Sequence, residues 1–198
     1  MLQGNIFVIS APSGAGKSTL VKALANLDKN IKISISHTTR NKRIGEVDKI
    51  DYFFIKKYEF EEMLEKKEFL EYAKVYDNYY GTNHKTINHF LSQGYDIILE
   101  IDHQGAQQIK KIIPESTFIY ILPPNKKELE RRLKSRSTDD NETINKRLSL
   151  AYDEISYAKE YDYIVINDDF NNALQSLYSI ILVQRLKSKN VLNNYKLE

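Results

Sequence analysis

The residues best able to do chemistry in this 198-residue chain form one short run, APSGAGKS, from Ala11 to Ser18. Gly14 and Gly16 permit backbone angles that turn successive amide N–H groups toward one point, and a helix opening there adds the positive end of its dipole. Lys17 contributes a point charge and Ser18 a hydroxyl. The run therefore has the spacing of a loop that cradles nucleotide phosphates, with Lys17 on the β and γ phosphates and Ser18 on Mg²⁺. Ala11 stands where the strict pattern has glycine, which costs little if its φ is below zero. The bland alternative is an accidental glycine-rich turn. The apolar strand before it and the helical pattern after it argue for the loop.

A second group lies in SISHTTRNKRIGEVDKIDYFF, where Arg40 and Arg43 are three apart and Tyr52 follows. Guanidinium forks suit phosphate oxygens, and a tyrosine hydroxyl adds a neutral donor. Taken alone, paired loop arginines are usually solvated surface; beside a phosphate loop, anion binding is the better reading. His37, His84, His89 and His103 show no zinc spacing, so no metal is assigned to them.

The elements that must position these residues follow from periodicity. NIFVIS (5–10) reads as a strand, and LVKALANL as a helix after the loop. KISIS (32–36) and YFFI (52–55) read as strands, EFEEMLEKK as a helix with Phe60, Met63 and Leu64 on one face, FLEYAKVY as strand-like, and NYYGTN as a turn before a short helix ending near Gly94. Then strand and helix alternate: YDIILEID, QGAQQIKKII, TFIYIL, NKKELERRLKSR, an amphipathic helix over about 142–159, the strand YIVIN (163–167), and a last helix over about 171–187. That order predicts an α/β fold, a parallel sheet with helices on both faces, and a mixed lobe inserted over roughly 34–82.

Composition narrows the class. Hydrophobic residues are 41% and charged residues 28%, with 7 Gly and 4 Pro, which excludes collagen-like and disordered chains. There is no cysteine, so no disulfide framework or thiolate chemistry is available. A net charge of +2 argues against bulk nucleic-acid or membrane binding. With no spanning or leader-like apolar run, the expected location is the cytoplasm.

Taken in order, PSGAGKST, SHTTR..R.GE, DYFF, EFLEYAKVYDNYYGT, ILEIDHQGA, YILPP, LERRLKSRSTD, INKRL and IVINDD resemble the bacterial guanylate kinases over nearly the whole chain. The resemblance implies a P-loop fold in three parts: a core (1–33, 83–124 and 160–198), a GMP-binding lobe (34–82) and a helical lid (125–159). It implies transfer of a phosphoryl group from ATP to GMP, and use of dGMP, with Mg²⁺ bound alongside ATP. On this resemblance Ala11, Pro12, Ser13, Gly14, Ala15, Gly16, Lys17, Ser18 and Thr19 hold the ATP phosphates, and Asn167 with Asp168 approaches the adenine. Ser36, Glu71 and Thr82 read guanine, while Arg40, Arg43, Tyr52 and Tyr80 hold the GMP phosphate. Arg132, Arg136 and Arg147 are lid arginines acting with Lys17 and Arg40 in catalysis. Glu100 and Asp102 end an apolar strand and, as i and i+2, face one side, toward the acceptor and Mg²⁺, either of them through water. Family members commonly have Asp at 100, glycine at 137 and proline at 42 and 44, where this chain has Glu, Ser, Lys and Ile. Homodimerisation is left open.

Each residue also has a plainer reading: Arg131, Arg132 and Arg136 as a solvated helix face, and Glu71 as an exposed strand carboxylate. Two rival functions exist. A phosphosugar kinase would keep the phosphate loop but not need Ser36, Glu71 and Thr82. A phosphopeptide-binding scaffold of this type would lose the loop, which is intact here.

Overall fold

The computed structural model describes residues 4–75, 77–134 and 141–194, with the backbone alone at 141–147, 193 and 194. Its centre is β1 (Ile6–Ser10), buried along its whole length. Side chains alternate across a strand, and β1 uses both faces: Phe7 and Ile9 join one apolar cluster, Ile6 and Val8 another. This double burial explains why the strand reads as continuously apolar.

Five parallel strands, β1, β2 (Ile31–Ile33), β7 (Asp96–Glu100), β8 (Thr117–Leu122) and β9 (Tyr163–Ile166), form the core sheet in the order β2-β7-β1-β8-β9. Helices α1 (Lys17–Leu27) and α7 (Phe170–Arg185) cover one face, through Leu20, Val21, Leu24, Ala173, Leu177 and Ile181. Helices α3 (His84–Ser92) and α4 (His103–Ile112) cover the other, through Ile87, Ala106 and Ile109. A second, mixed sheet has the order β4-β3-β6-β5, built from β3 (His37–Thr38), β4 (Phe53–Phe54), β5 (Phe69–Val75) and β6 (Asn78–Asn83), with α2 (Lys57–Glu65) beside it. Helices α5 (Lys126–Lys134) and α6 (Asn141–Ile155) pack together through Leu129, Leu133, Leu148 and Ala151.

Four expectations are corrected. KISIS is split between the two sheets: pairing with β7 ends near Ser34, whose N–H donates to the Ile98 carbonyl, and by Ser36 the chain accepts from Phe53 N–H in the second sheet. NYYGTN is the strand β6 and not a turn. Gly81 sits mid-strand because Phe69 and Phe60 press on it; a Cβ there would lie 2.9 Å from Phe69 Cδ1 and 3.0 Å from Phe60 Cζ. The 142–159 helix breaks at Ile155 into a 3₁₀ turn, Ser156–Glu160. A further helix, α8 (Ser188–Asn194), follows α7. No helix among the described residues is long and apolar enough to cross a membrane.

Arg185, at the end of α7, ties that helix to the sheet. Its Nη1 lies 2.6 Å from Asp28 Oδ2 and its Nε 2.7 Å from Asp96 Oδ2, both carboxylates being nearly inaccessible. Burial pushes the Asp28 carboxyl up, but the Asn30 N–H and the Arg185 guanidinium outweigh it and hold the group below its ordinary value. Removing the cation leaves two buried carboxylates with their Asn30 and Asn5 donors but no counter-charge. Arg185→Ala is therefore expected to cost about 3–5 kcal/mol in urea unfolding at neutral pH. The loss should shrink as pH falls through the acid range, where Asp28 takes up a proton. A loss that does not change between neutral and acid pH would contradict the pairing.

Candidate functional site

The turn after β1 is shaped by two residues with left-handed backbone, Gly14 (φ 91°) and Gly16 (φ 92°). Gly16 caps α1 with no side-chain acceptor, so the N–H groups of the first helical turn remain available to a ligand. Ala11 does not have positive φ, so alanine in place of the usual glycine is unstrained. The loop's outward-facing carbonyl, that of Ala15, accepts from Asn167 Nδ2 at 2.7 Å and from Arg132 Nη1 at 3.4 Å. Asn167 lies so close that a Cβ at Gly16 would come within 2.4 Å of its amide nitrogen. Its amide, expected near the adenine, thus holds the loop, while Asp168 is exposed.

The end of β7 meets the loop from the side. Lys17 Nζ donates to the Ile101 carbonyl at 3.1 Å, and the Ser18 hydroxyl donates to Glu100 Oε1. The strand stops at Glu100, so Asp102 is not its i+2 partner within the strand. Asp102 caps α4 instead, its Oδ1 accepting from Gly105 N–H at 2.9 Å. Both carboxylates still line one cleft of about 320 Å³ together with Gly14, Gly16, Lys17, Ser18 and Thr19.

The same cleft reaches the second sheet, where Ser36, Arg43, Tyr52, Glu71 and Tyr80 line it. Glu71 is 3% exposed, which overturns its reading as a surface strand carboxylate. Its Oε1 accepts from the Thr82 hydroxyl, which lies 3.1 Å from the Ser36 hydroxyl. Burial raises the Glu71 carboxyl to about 7; the Thr82 hydroxyl opposes the rise, and the charge of Asp102 adds to it. Arg43 is exposed on the cleft wall. Arg40 is turned aside into a bidentate pair with Glu46, at 3.0 and 2.8 Å, with the Tyr52 and Phe54 rings within 6 Å of its guanidinium. Burial, with Glu100 nearby, raises the Tyr52 hydroxyl to about 12, so it remains a donor at neutral pH.

On the third side, Leu129 and Leu133 of α5 lie over Gly14. Arg132 is bound and not merely solvated: besides Ala15 it reaches Glu128 Oε1 at 2.7 Å and the Asn167 carbonyl at 3.0 Å. Arg131 is exposed and paired with Glu128. Arg136 lies outside the described residues, and Arg147 is described only as a backbone position in α6. Glu154, not singled out from the sequence, lines the cleft; its Oε2 accepts from Ser13 N–H at 3.2 Å and its carbonyl from Tyr120 O–H at 2.7 Å. Nothing in the amphipathic pattern of α6 marks it. Ala73 and Val75 also line the cleft and were legible in principle, because they alternate with Glu71 along β5.

One continuous cleft therefore joins a phosphate cradle to a buried carboxylate–hydroxyl group, an arrangement able to hold two polar ligands end to end. A family model described as guanylate kinase matches residues 3–184. The chain belongs to the guanylate kinase family. It is 50% identical over 186 residues to a guanylate kinase of Rickettsia conorii, covering 94% of this chain and 81% of that one. It is 51% identical over 192 residues to one from Buchnera aphidicola, covering 96% and 93%. The crystal structure of guanylate kinase from Anaplasma phagocytophilum superposes with a TM-score of 0.78 at 31% identity, covering 95% of this chain and 89% of that one.

The raised Glu71 carboxyl has a cost in stability that belongs to this family member's cleft. Between the ordinary carboxylate range and about pH 7 the unfolded chain ionises Glu71 and the native chain does not, so wild type loses stability relative to Glu71→Gln as pH rises. Above pH 7 both states are ionised and the difference levels off, at on the order of 3 kcal/mol. Thermal melts should therefore show Glu71→Gln more stable than wild type at pH 8 and level with it near pH 4. Equal melting temperatures at pH 8 would rule out the buried, neutral-leaning carboxyl.

Proposed function

We propose that this chain transfers the γ-phosphoryl group of ATP to GMP, yielding ADP and GDP. The observation that carries the reading is the single cleft with the phosphate loop at one end and Glu71, Ser36 and Thr82 at the other. Guanine presents N1–H and N2–H₂ donors on one edge and O6 as an acceptor. An ionised Glu71 accepts the two donors, and a hydroxyl of the Ser36–Thr82 pair donates to O6. Adenine inverts that pattern and would leave Glu71 facing a lone pair.

On the donor side, Lys17 leaves the Ile101 carbonyl for the ATP phosphates, and the amides of the loop hold the remaining oxygens. Arg43 and the Tyr52 and Tyr80 hydroxyls receive the GMP phosphate. Arg40, braced by Glu46, stands behind them with its charge. Arg132 already bridges α5 to the loop, and Arg136 and Arg147 complete the lid on this reading. The Ser18 hydroxyl and the Glu100 carboxylate are hard oxygen donors in direct contact, a set that suits Mg²⁺ arriving with ATP; Asp102 is less available because it caps α4. Bound there, Mg²⁺ would neutralise charge on the transferred group. Catalysis is then positioning and charge stabilisation, with no covalent intermediate.

A coupled assay of ADP release offering GMP, AMP and ribose bisphosphate tests the reading: GMP should support turnover and the other two should not. Lys17→Met should lose at least ~10²-fold in turnover with an unchanged melting temperature, because the lysine acts through charge and not packing. Near-normal turnover would remove Lys17 from the mechanism. GMP affinity in wild type should fall as pH drops below about 7, because only ionised Glu71 accepts both guanine donors. Glu71→Gln should flatten that part of the profile, leaving the titration of the GMP phosphate itself. Superimposable profiles for wild type and variant would exclude Glu71 from base recognition.

A further inference from the structure

Glu71 stands on β5, an edge strand of the second sheet, paired with β6 on one side and presenting unpaired backbone groups on the other. Here the edge is closed by a side chain of the core. Gln108 of α4 donates from Nε2 to the Tyr72 carbonyl at 2.6 Å and accepts at Oε1 from the Tyr72 N–H at 3.2 Å. A primary amide has the same donor and acceptor as a peptide group, so Gln108 stands in for the neighbouring strand that β5 lacks, at the residue next to Glu71.

One turn earlier on the same helix is Gly105. A Cβ built there would lie 2.4 Å from Glu71 Oε2 and 3.2 Å from Glu71 Cδ, with Ile101 Cδ1 at 3.3 Å. The Glu71 carboxylate therefore occupies the space that any other residue at 105 would fill. Its Oε1 is held by Thr82 and its Oε2 lies against the bare first turn of α4. The N-terminal end of that helix favours negative charge. The backbone of β5 and the carboxylate it carries are thus located from two sides, by β6 within the second sheet and by α4, which packs on the core sheet.

We propose that Gly105 and Gln108 are positioning residues that determine base selectivity without touching the base: Gln108 fixes the β5 backbone beside Glu71, and Gly105 leaves open the space in which its carboxylate lies. The proposal rests on the reading of Glu71 as the group that accepts the guanine donors. It places part of the selectivity on two residues of a core helix that do not line the cleft.

A misplacement of the order of 1 Å at a recognition group costs up to ~10²-fold. Gly105→Ala should therefore lower kcat/KM for GMP by ~10–100-fold, chiefly through KM, and shrink the ratio of GMP to IMP, which lacks only the 2-amino donor. The KM for ATP should hold. Gln108→Ala, on a half-exposed helix face, should do the same more weakly, and Gln108→Glu should not rescue it, because a carboxylate accepts from Tyr72 N–H but cannot donate to its carbonyl. A merely structural role would lower the melting temperature and all kinetic constants together while leaving the GMP-to-IMP ratio unchanged, and that result in either variant would overturn the proposal. If Gly105→Ala does not fold, Gln108→Ala decides. If wild type itself does not prefer GMP to IMP and AMP, the reading of Glu71 fails; if wild type does and neither variant alters the ratio, only the positioning roles fail.

Discussion

A loop that aims its amide N–H groups into a cleft must send a carbonyl the other way, and in this fold that carbonyl is Ala15. Left unpaired beneath the site it would cost a buried hydrogen bond and free the turn to relax. Its partners come from the two elements that flank the loop, Asn167 following β9 and Arg132 on α5. Arg132 also reaches the Asn167 carbonyl. The glycine-rich loop, the end of β9 and helix α5 are therefore tied together at one peptide group. Gly16 belongs to the same constraint, since any side chain there would displace Asn167.

The acceptor end obeys a different rule. The carboxylate proposed for base recognition, Glu71, is buried, which raises its proton affinity, and the hydroxyl and backbone of Thr82, with the charge of Lys17, only partly oppose the rise. Complete satisfaction would make it a better structural residue and a poorer receptor. On the proposed reading, a carboxylate held but still short of donors is suited to take two from guanine, which would recover the stability it forgoes in the empty cleft. Arg40 is arranged in the opposite way, its fork already filled by Glu46, whereas the exposed Arg43 lines the cleft.

Much of this was legible in the residues. TFIYIL and NIFVIS sit in a sheet covered on both faces and read as continuous apolar runs, so they were found almost to the residue. APSGAGKS carried its own mechanism. NYYGTN was misread because glycine and asparagine usually mark turns, whereas Gly81 answers to two aromatic rings that come from elsewhere in the chain. KISIS alternates correctly as a strand, but its residues divide between two sheets, and a period of two holds no record of which partner each half will find. Asp102 was placed in a strand because a carboxylate two residues past Glu100 fits the alternation; its hydrogen bond to Gly105 N–H ends the strand sooner. Glu154 and Gln108 were missed because a glutamate and a glutamine on amphipathic helices carry no spacing that distinguishes a contact from solvent.

The place of β1 at the middle of the sheet has a consequence for the order in which the protein acquires its structure. β1 is close to the beginning of the chain, yet its pairings are Ile6 with Ile97 and Phe7 with Thr117. Closing loops of that length is slow, and contacts so distant in sequence delay folding. During synthesis the strand that bears the phosphate loop waits, apolar and unpaired, until β7 and then β8 have been made. The β5–β6 hairpin, whose partners Val75 and Asn78 are nearly adjacent, needs no such wait. The nascent chain therefore builds the β5–β6 hairpin that carries Glu71 early and the turn after β1 late, and the long exposed interval of IFVIS is where a chaperone has most to shield.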